Sequence, residues 1–264
     1  MTVMYQWLGQ AGFLFEVDGT RIVVDPYLSD SLAEKYRGSL FPHRRMMPPP
    51  VQAEELTDID WILCTHQHTD HMDAQTLLPI HHRNADCRFL VPQAWENKVL
   101  EMGIASDRIH TVDTDESIQL NDGILLTAIP AAHEEMKFTE EGFSWFLGYI
   151  ITSEDVTLYH SGDCIPYKGL LERLIKFKID IAFLPVNGRD AIRQKNGIPG
   201  NFTAHEAADL CINAGIPTLV CHHFNMFDFN TVRLSDLEAV KNQVKGKLQV
   251  VIPESPNLGW VGEL

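Results

Sequence analysis

Short apolar runs separated by turn residues predict strands over the first part of the chain. GFLFEV (12–17) and RIVVD (21–25) flank Asp18-Gly19, a dipeptide typical of two-residue hairpin turns. A loop follows and closes with Pro48-Pro49-Pro50. DIDWILCTH (58–66) then predicts a short buried strand that ends in a His-rich turn.

The apolar pattern next alternates between strand and helix periods. The predicted elements, in order, are a strand in CRFLVP (87–92), a helix in PQAWENKVLEMG (92–103), a strand in RIHTV (108–112), a hairpin in SIQLNDGILLTAIPAAH (117–133), strands in WFLGYIIT (145–152) and VTLYHSGD (156–163), a helix near Tyr167–Lys176, and a strand in IDIAFLPVNG (179–188).

The C-terminal part continues the same strand-and-helix alternation. TAHEAADLCINAG (203–215) predicts a helix, because Thr203 and Glu206 form a capping box and Ala204, Ala207, Ala208 and Cys211 share one face. TLVCHH (218–223), a helix from Leu234 to Val244 and LQVVIP (248–253) complete the pattern. No stretch resembles an interdomain linker. The sequence therefore predicts one domain over residues 1–264, with two sheets packed together and helices outside them.

Composition limits the classes of partner. The 264 residues carry a formal net charge of −15, which disfavours binding to nucleic acid or to an anionic membrane. No apolar stretch approaches the roughly 18 residues of a membrane span, and the N-terminus lacks the features of a signal peptide. Five scattered cysteines predict a reducing compartment, so we expect a cytoplasmic protein. No feature sets an oligomeric state, and a homo-oligomer is compatible with the sequence.

The densest cluster of chemically active residues is HQHTDH (66–71), directly after a predicted buried strand. Three imidazoles and a carboxylate within six residues suit zinc, manganese or iron. In a turn, His66 and His68 can approach one ion while Asp70 and His71 face a second. A polar surface turn is the alternative interpretation, and crowded imidazoles after an apolar strand disfavour it.

HQHTDH resembles the H-x-H-x-D-H signature of the metallo-β-lactamase fold, which implies an αββα sandwich with the site along one edge of the sheets. The resemblance covers the whole chain. It assigns Asp25 to a position that orients the His-rich loop, His133 to the third motif and Asp163 to the carboxylate that bridges two metals. The alternative interpretation gives Asp25 and Asp163 turn roles and makes His133 an ordinary loop histidine, and it is disfavoured because HQHTDH alone leaves its ions short of ligands.

Cys64, Cys164 and Cys221 adjoin predicted ligands, and we interpret them as small buried residues at strand ends. Asp163, where some metallo-β-lactamases have a cysteine ligand, disfavours a true β-lactamase. His68, where the di-iron flavoprotein branch has glutamate, favours hydrolysis.

The fifth motif of the fold falls on two adjacent histidines, His222 and His223. Successive side chains of a strand point to opposite faces, so regular geometry directs only one of them at an ion. Alignment with relatives predicts His222 as the ligand. A bend where the strand ends could re-aim either ring. His223 then either packs or faces the substrate, where it could donate to an oxyanion.

The resemblance implies a hydrolase with two divalent ions, Zn or Mn. His66, His68 and His133 would hold one ion, Asp70, His71 and His222 the other, and Asp163 would bridge them. A water shared by two such ions becomes a nucleophile near neutral pH, and Asp70 could handle its proton. His160 is a candidate partner behind the ligands, or a core or turn residue.

Further phrases resemble the L-ascorbate-6-phosphate lactonase group: WLGQAGF, HSGD, LPVNGRD and GNFTAHEAADL. The resemblance implies that the substrate is a lactone of a phosphorylated sugar acid such as L-ascorbate 6-phosphate. The net charge of −15 would repel such a small anion unless cations are concentrated near the site. Arg37–Arg45 and Arg189–Lys195 could supply these cations, or could be solvated loops. The predicted substrate residues precede or begin the capped helix, whose N-terminus suits an anion: Asn187, Arg189, Asn201, Thr203 and His205. An ordinary helix cap explains them equally well.

Two other functions stay open. A metal-dependent phosphodiesterase of the same fold would use the same ligands. A non-catalytic metal-binding regulator on a hydrolase scaffold is disfavoured by the complete ligand set.

Overall fold

The computed structural model describes residues 4–254, and its strands form two sheets. The first sheet has six strands in chain order, antiparallel from β1 to β3 and parallel from β3 to β6. They are β1 Met4–Gly9, β2 Gly12–Val17, β3 Thr20–Val24, β4 Trp61–Leu63, β5 Arg88–Pro92 and β6 Ile109–Val112.

The second sheet has seven strands in the order β13-β12-β11-β10-β9-β8-β7. Pairing is antiparallel from β7 to β10 and parallel from β10 to β13. The strands are β7 Ser117–Asn121, β8 Ile124–Pro130, β9 Leu147–Thr152, β10 Thr157–His160, β11 Ile181–Pro185, β12 Thr218–His222 and β13 Gln249–Val251. Each sheet thus begins with an antiparallel part and ends with a parallel one.

The helices connect the strands and cover the outer faces of the sheets. They are α1 Ser31–Lys35, α2 Ala74–Arg83, α3 Glu96–Glu101, α4 Leu170–Leu174, α5 Ala191–Lys195, α6 Ala204–Ala214 and α7 Leu234–Gln243. Among residues 4–254, none of the helices has the length and apolar character needed to cross a membrane.

Alternation of side chains along each strand fills two separate apolar layers. In β2, Phe13 and Phe15 point to the layer between the sheets, where both rings contact Phe183 of β11. Leu14, between them, points outward to a second cluster that includes Leu77 of α2 and Val99 of α3. Strands buried on both faces explain why the apolar runs are nearly continuous.

This architecture is the αββα sandwich that the sequence predicted. The two hairpins, the capped helix α6 and the strand before the His-rich turn are confirmed. The structure adds β1 and three helices that were not predicted, α1, α2 and α5. Two of these helices, α1 and α5, have only five residues, so an apolar pattern of helical period has no room to repeat in them. The third, α2, contains Pro79, which disfavours a helix prediction.

All five cysteines are buried free thiols. Cys64, Cys164 and Cys221 are packed as small apolar residues beside the site, as expected from their positions at strand ends.

Candidate metal centre

The predicted ligands lie at the ends of strands from both sheets. Asp25 follows β3 and the HQHTDH loop follows β4 in the first sheet. Asp163 follows β10 in the second sheet, and His133 lies beyond β8. The packed sheets therefore bring residues distant in sequence to one edge of the sandwich.

Two groups of side chains at this edge have the composition of a metal site. One contains His66, His68, His133 and Asp163; the other contains Asp70, His71 and His223. Within each group, one ligand atom per residue lies within 4.8 Å of those of the other members. Neutral imidazoles and carboxylates in this combination suit zinc or manganese.

Asp163 connects the two groups. Its Oδ1 lies 3.3 Å from His71 Nε2, and its Oδ2 lies 3.4 Å from His133 Nε2 and 3.3 Å from His223 Nε2. A carboxylate between two sets of imidazoles has the placement that a bridging ligand requires.

Asp25 anchors the His-rich loop from the first sheet. Its carboxylate accepts hydrogen bonds from the Thr65 backbone N–H (2.8 Å) and hydroxyl (2.6 Å), and contacts His71 Nδ1 at 2.7 Å. Because the carboxylate is an acceptor, Nδ1 carries the proton in this contact and Nε2 faces Asp163. Asp25 therefore sets the orientation of the His71 ring.

Hydrogen bonds also fix the rings of two other histidines. The Thr65 hydroxyl donates to Asp25, so its contact with His66 Nδ1 at 3.0 Å requires the ring N–H to be the donor. His133 Nδ1 lies 3.1 Å from the Gly200 carbonyl, which is again only an acceptor. In both neutral rings the free lone pair is therefore on Nε2, the atom available for a metal.

Several atoms at the centre fit a metal ion because they are buried without hydrogen-bond partners. These atoms are His66 Nε2, His71 Nε2 and Asp163 Oδ1. Buried polar groups are normally paired, and unpaired ones cost about 1–3 kcal/mol each. Their position among the two ligand groups indicates that they are directed toward cations.

The pKa values also indicate that the carboxylates of the two ligand groups favour positive charge at this site. Burial lowers the pKa of His133 to about 4, although Asp163 opposes this shift. Burial acts in the same direction on His71 and His223, but Asp163 and the other carboxylates outweigh it. The pKa of His223 rises to about 9 and that of His71 well above its usual range. Divalent cations would supply this charge and leave the imidazoles neutral.

The two adjacent histidines, of which His222 was predicted as the ligand, are placed differently in the structure. β12 ends at His222, and His223 adopts a left-handed φ of +59°, which turns the chain out of the strand. The His223 ring joins Asp70 and His71, whereas His222 belongs to neither ligand group. His222 instead stacks on His160, with ring centroids 4.9 Å apart and an angle of 8° between the planes.

His160 forms its hydrogen bonds with the backbone and not with the side chain of a ligand residue. Its Nε2 lies 2.9 Å from the Ala11 carbonyl, and its Nδ1 accepts a hydrogen bond from the Gly162 N–H at 3.1 Å. Gly162 has a φ of +58°, and a Cβ there would come within 2.7 Å of the Thr65 side chain. His160 thus shapes the tight turn that presents Asp163.

The structure does not bring the predicted substrate residues to the site. Arg189 pairs with both oxygens of Glu206 at 2.7 Å and donates to the Asn201 carbonyl at 3.1 Å. Thr203 caps α6, and His205 is exposed. Asn187 hydrogen-bonds Asn201 and Asn230. These residues are occupied in building the loop and the helix cap, and none lines the cavity above the ligands.

That cavity has a volume of about 580 Å³. His68, Asp70, His133, Asp163 and His223 contribute to its surface. The other lining residues come from the segment around α1, from α3 and from two loops: Leu32, Lys35, Tyr36, Leu40, Phe41, His43, Lys98, Ile198, Pro199, Phe227 and Asn230. The sequence indicated one part of this wall, Arg37–Arg45, as a source of cations, but Leu40, Phe41 and His43 of that segment line the cavity and its arginines do not. The remaining lining residues are far apart in sequence, and no motif links them.

Gln10 is a further residue at the site that was not predicted. It lies in the turn between β1 and β2, within the WLGQAGF motif, which indicated a family resemblance but no site residue. Its side-chain N–H group donates to Asp70 Oδ2 at 2.8 Å.

Comparison with known proteins places the chain in a family. The model of the beta-lactamase superfamily domain matches residues 20–224, a span that contains every predicted ligand. The chain therefore belongs to the beta-lactamase superfamily domain family.

Two of the relatives by sequence carry the names of different kinds of hydrolase. A UPF0173 metal-dependent hydrolase of Hyperthermus butylicus is 26% identical over 255 residues, which cover 94% of each chain. An N-acyl-phosphatidylethanolamine-hydrolyzing phospholipase D of Caenorhabditis elegans is 27% identical over 192 residues, 68% of this chain. The match spans 52% of that phospholipase, so the chain covers about half the length of this relative.

Solved structures share the fold over nearly the full length. An isothiocyanate hydrolase from Delia radicum gut bacteria matches with a TM-score of 0.75 at 18% identity, covering 96% of this chain and 97% of that one. A metallo hydrolase of Ignicoccus hospitalis matches with a TM-score of 0.71 at 19% identity, covering 97% of both chains.

Proposed function

We propose that the protein is a metal-dependent hydrolase that opens a lactone or a similar small carboxylic ester. The observation that carries this proposal is the convergence of two ligand groups on Asp163, at the base of a cavity of about 580 Å³. The family supports it, as does the similarity to a metal-dependent hydrolase over almost the whole chain.

Each group of residues has a separate task. His66, His68 and His133 would hold one divalent ion, Asp70, His71 and His223 the other, and Asp163 would contact both. Bound divalent ions acidify water and polarise a carbonyl oxygen. Asp70 lines the cavity, so its carboxylate is placed where it could take up a proton from the water.

The cavity favours a substrate with an apolar part. Tyr36, Phe41, His43 and Phe227 lie on one wall, and Phe229 packs behind Phe41 with ring centroids 5.1 Å apart. Aromatic walls bind apolar or planar groups. Lys35 and Lys98 are the lysines on the cavity surface and could attract a carboxylate or phosphate. The phosphorylated sugar lactone loses the support expected from Arg189, which is paired with Glu206.

A phosphodiester is a second candidate substrate. The relative from Caenorhabditis elegans is, by its name, a phospholipase D, an enzyme that cleaves a phosphodiester. Lys35 and Lys98 line the same cavity as the ligands and would suit its negative charge, and Lys98 also donates to the Gln67 carbonyl. The same ligand groups serve either reaction.

Metal analysis combined with a substrate screen tests the proposal. Purified protein should contain divalent metal and hydrolyse at least one member of a panel of lactones and phosphodiesters. Asp163→Asn should lower kcat/KM at least 100-fold, since it removes one charge from the residue between both groups. His205→Ala, an exposed histidine of α6, serves as the control and should retain wild-type activity. Two bound metals with no turnover of any ester would instead favour a metal-binding regulator.

The aromatic wall is tested by comparing lactones with short and long alkyl chains. Phe41→Ala should raise KM for the long-chain lactone about tenfold and leave the short-chain value nearly unchanged, because it removes apolar contact area worth 1–2 kcal/mol at about 25 cal/mol per Å². Phe138→Ala is the matched control, since Phe138 is 51% exposed and does not line the cavity. Equal effects on both lactones would contradict recognition by this wall.

A further inference from the structure

Gln10 occupies a buried turn that touches the second ligand group through its backbone. Its φ is +49°, and its side chain is fully buried. The Gln10 carbonyl accepts hydrogen bonds from the Trp7 indole N–H at 3.0 Å and from the His223 backbone N–H at 2.9 Å. The turn between β1 and β2 is therefore fastened to the residue at which the chain leaves β12.

The side chain of Gln10 touches the same group a second time. Its Nε2 lies 2.8 Å from Asp70 Oδ2 and 3.1 Å from His223 Nε2. The amide orientation follows from Asp70, because a carboxylate accepts hydrogen bonds and the atom beside it must carry a proton. Rotating the amide by 180° would place two oxygens 2.8 Å apart.

Packing alone does not account for a glutamine here. Its Oε1 is buried with no hydrogen-bond partner, which costs about 1–3 kcal/mol. An apolar side chain of the same length, such as methionine, would fill the space without that cost. The N–H end, which donates to Asp70, is the part of the side chain that has a partner.

We propose that Gln10 is a positioning residue for the second metal site. By holding the Asp70 carboxylate and the His223 backbone, it keeps two of the ligands of that site in place, and metal affinity there depends on it. This inference rests on the proposed function, because it takes Asp70, His71 and His223 as ligands. Partners behind metal ligands typically account for 10–100-fold in affinity.

A cobalt titration of the full chain tests this role. After metal removal, Co²⁺ is added to wild type and to Gln10→Met, and binding is followed by the d–d absorbance and by calorimetry. Wild type should bind two equivalents. In Gln10→Met one equivalent should bind 10–100-fold more weakly, and the other should keep its affinity.

Two further variants separate positioning from general stability. Gln6→Met is the matched control, because Gln6 is also a buried glutamine, lies on β1 and belongs to neither ligand group. It should bind both equivalents as wild type does. Gln10→Asn keeps the amide and suits a positive φ, but is one methylene shorter and should weaken the same equivalent without loss of Tm.

The outcomes distinguish this inference from the proposed function. If wild type binds two equivalents and both Gln10 variants bind them equally tightly, the positioning role is overturned. If all equivalents weaken together in Gln10→Met and Gln10→Asn binds normally, the effect is one of folding and the proposal also fails. If wild type binds no divalent metal, the proposed function itself fails.

Discussion

At the scale of single residues, the two histidines after β12 show what side-chain alternation does and does not determine. Alternation correctly predicts that His222 and His223 cannot face the same ion from a regular strand. It does not predict which one leaves the strand. The choice is made by the left-handed φ of His223 and its hydrogen bond to the Gln10 carbonyl, a contact between residues more than two hundred positions apart.

Metal content of alanine variants tests this assignment. His223→Ala should lose one metal equivalent, because alanine offers no ligand atom in place of the imidazole Nε2. His222→Ala should retain both equivalents, since His222 lies outside both ligand groups. Elemental analysis of the purified variants gives the answer. Loss of an equivalent only in His222→Ala would restore the assignment made from sequence.

The raised pKa of His223 predicts a pH dependence for the metal-free protein. The folded value is about 9 and the ordinary value 6.5, because Asp163 and Asp70 outweigh the opposing effect of burial. The stabilisation is therefore complete below pH 6.5 and is lost as the pH rises through 9. We expect the free energy of unfolding to fall by up to about 3 kcal/mol over this interval.

Urea unfolding of chelator-treated protein at several pH values measures this fall. The decrease should be smaller in His223→Gln, though not absent, since the pKa of His71 is shifted in the same direction. A decrease identical to that of wild type would show that His223 does not titrate in this range.

At the scale of elements, turns and caps were predicted well and short helices poorly. Asp18-Gly19 and the Thr203–Glu206 capping box act through neighbouring residues, so sequence alone identifies them. The helix α1 depends on contacts outside its own residues instead: the Leu32 N–H donates to the Tyr27 hydroxyl, and Arg45 donates to the Tyr27 carbonyl. The contribution of α1 to the cavity wall was missed for this reason.

The loop before α6 shows that the sequence does not reveal which charged side chains pair with each other. Arg189 and the helix N-terminus suggested an anion site, but the Glu206 of the capping box lies on the same turn and takes the arginine. The guanidinium of Arg189 is already paired with Glu206 in a bidentate geometry, so it is not available to bind a substrate anion.

Arg189→Ala is therefore predicted to affect stability and not substrate binding. The free energy of unfolding should drop by about 1 kcal/mol, since a bidentate pair and a bond to the Asn201 carbonyl are lost. KM for anionic substrates should stay unchanged. Arg233→Ala is the control, because its ion pair with Asp236 is far more exposed and should contribute less. A rise in KM with Arg189→Ala would return this residue to the substrate site.

At the scale of the whole molecule, the metal centre joins the two sheets. Asp25 and the HQHTDH loop belong to the first sheet, while Asp163 and His223 extend from the second. Removal of the ions would leave several carboxylates and imidazoles buried at this boundary without the charge that balances them. The fold class was predictable because short apolar strands repeat in both halves, whereas the pairing of ligands across the sheets required the packed structure.

Chelation is expected to destabilise the whole domain. Ions at about a thousand times their Kd stabilise a fold by about 4 kcal/mol per site, which for a chain of this size corresponds to a Tm change of roughly 10 °C. Calorimetry with and without chelator should show this drop and its reversal by Zn²⁺ or Mn²⁺. Asp163→Asn should show a much smaller response. An unchanged Tm in wild type would mean that the ligand groups hold no metal that matters for folding.

The distribution of ligands along the chain also orders events during biosynthesis. The ribosome releases the HQHTDH loop early, together with the strands of the first sheet, but His223 emerges only after β12. A nascent chain therefore cannot complete the second ligand group until almost all of both sheets has been made. Capture of the second ion by the full set of ligands would then be a late event, possible only once β12 has been made.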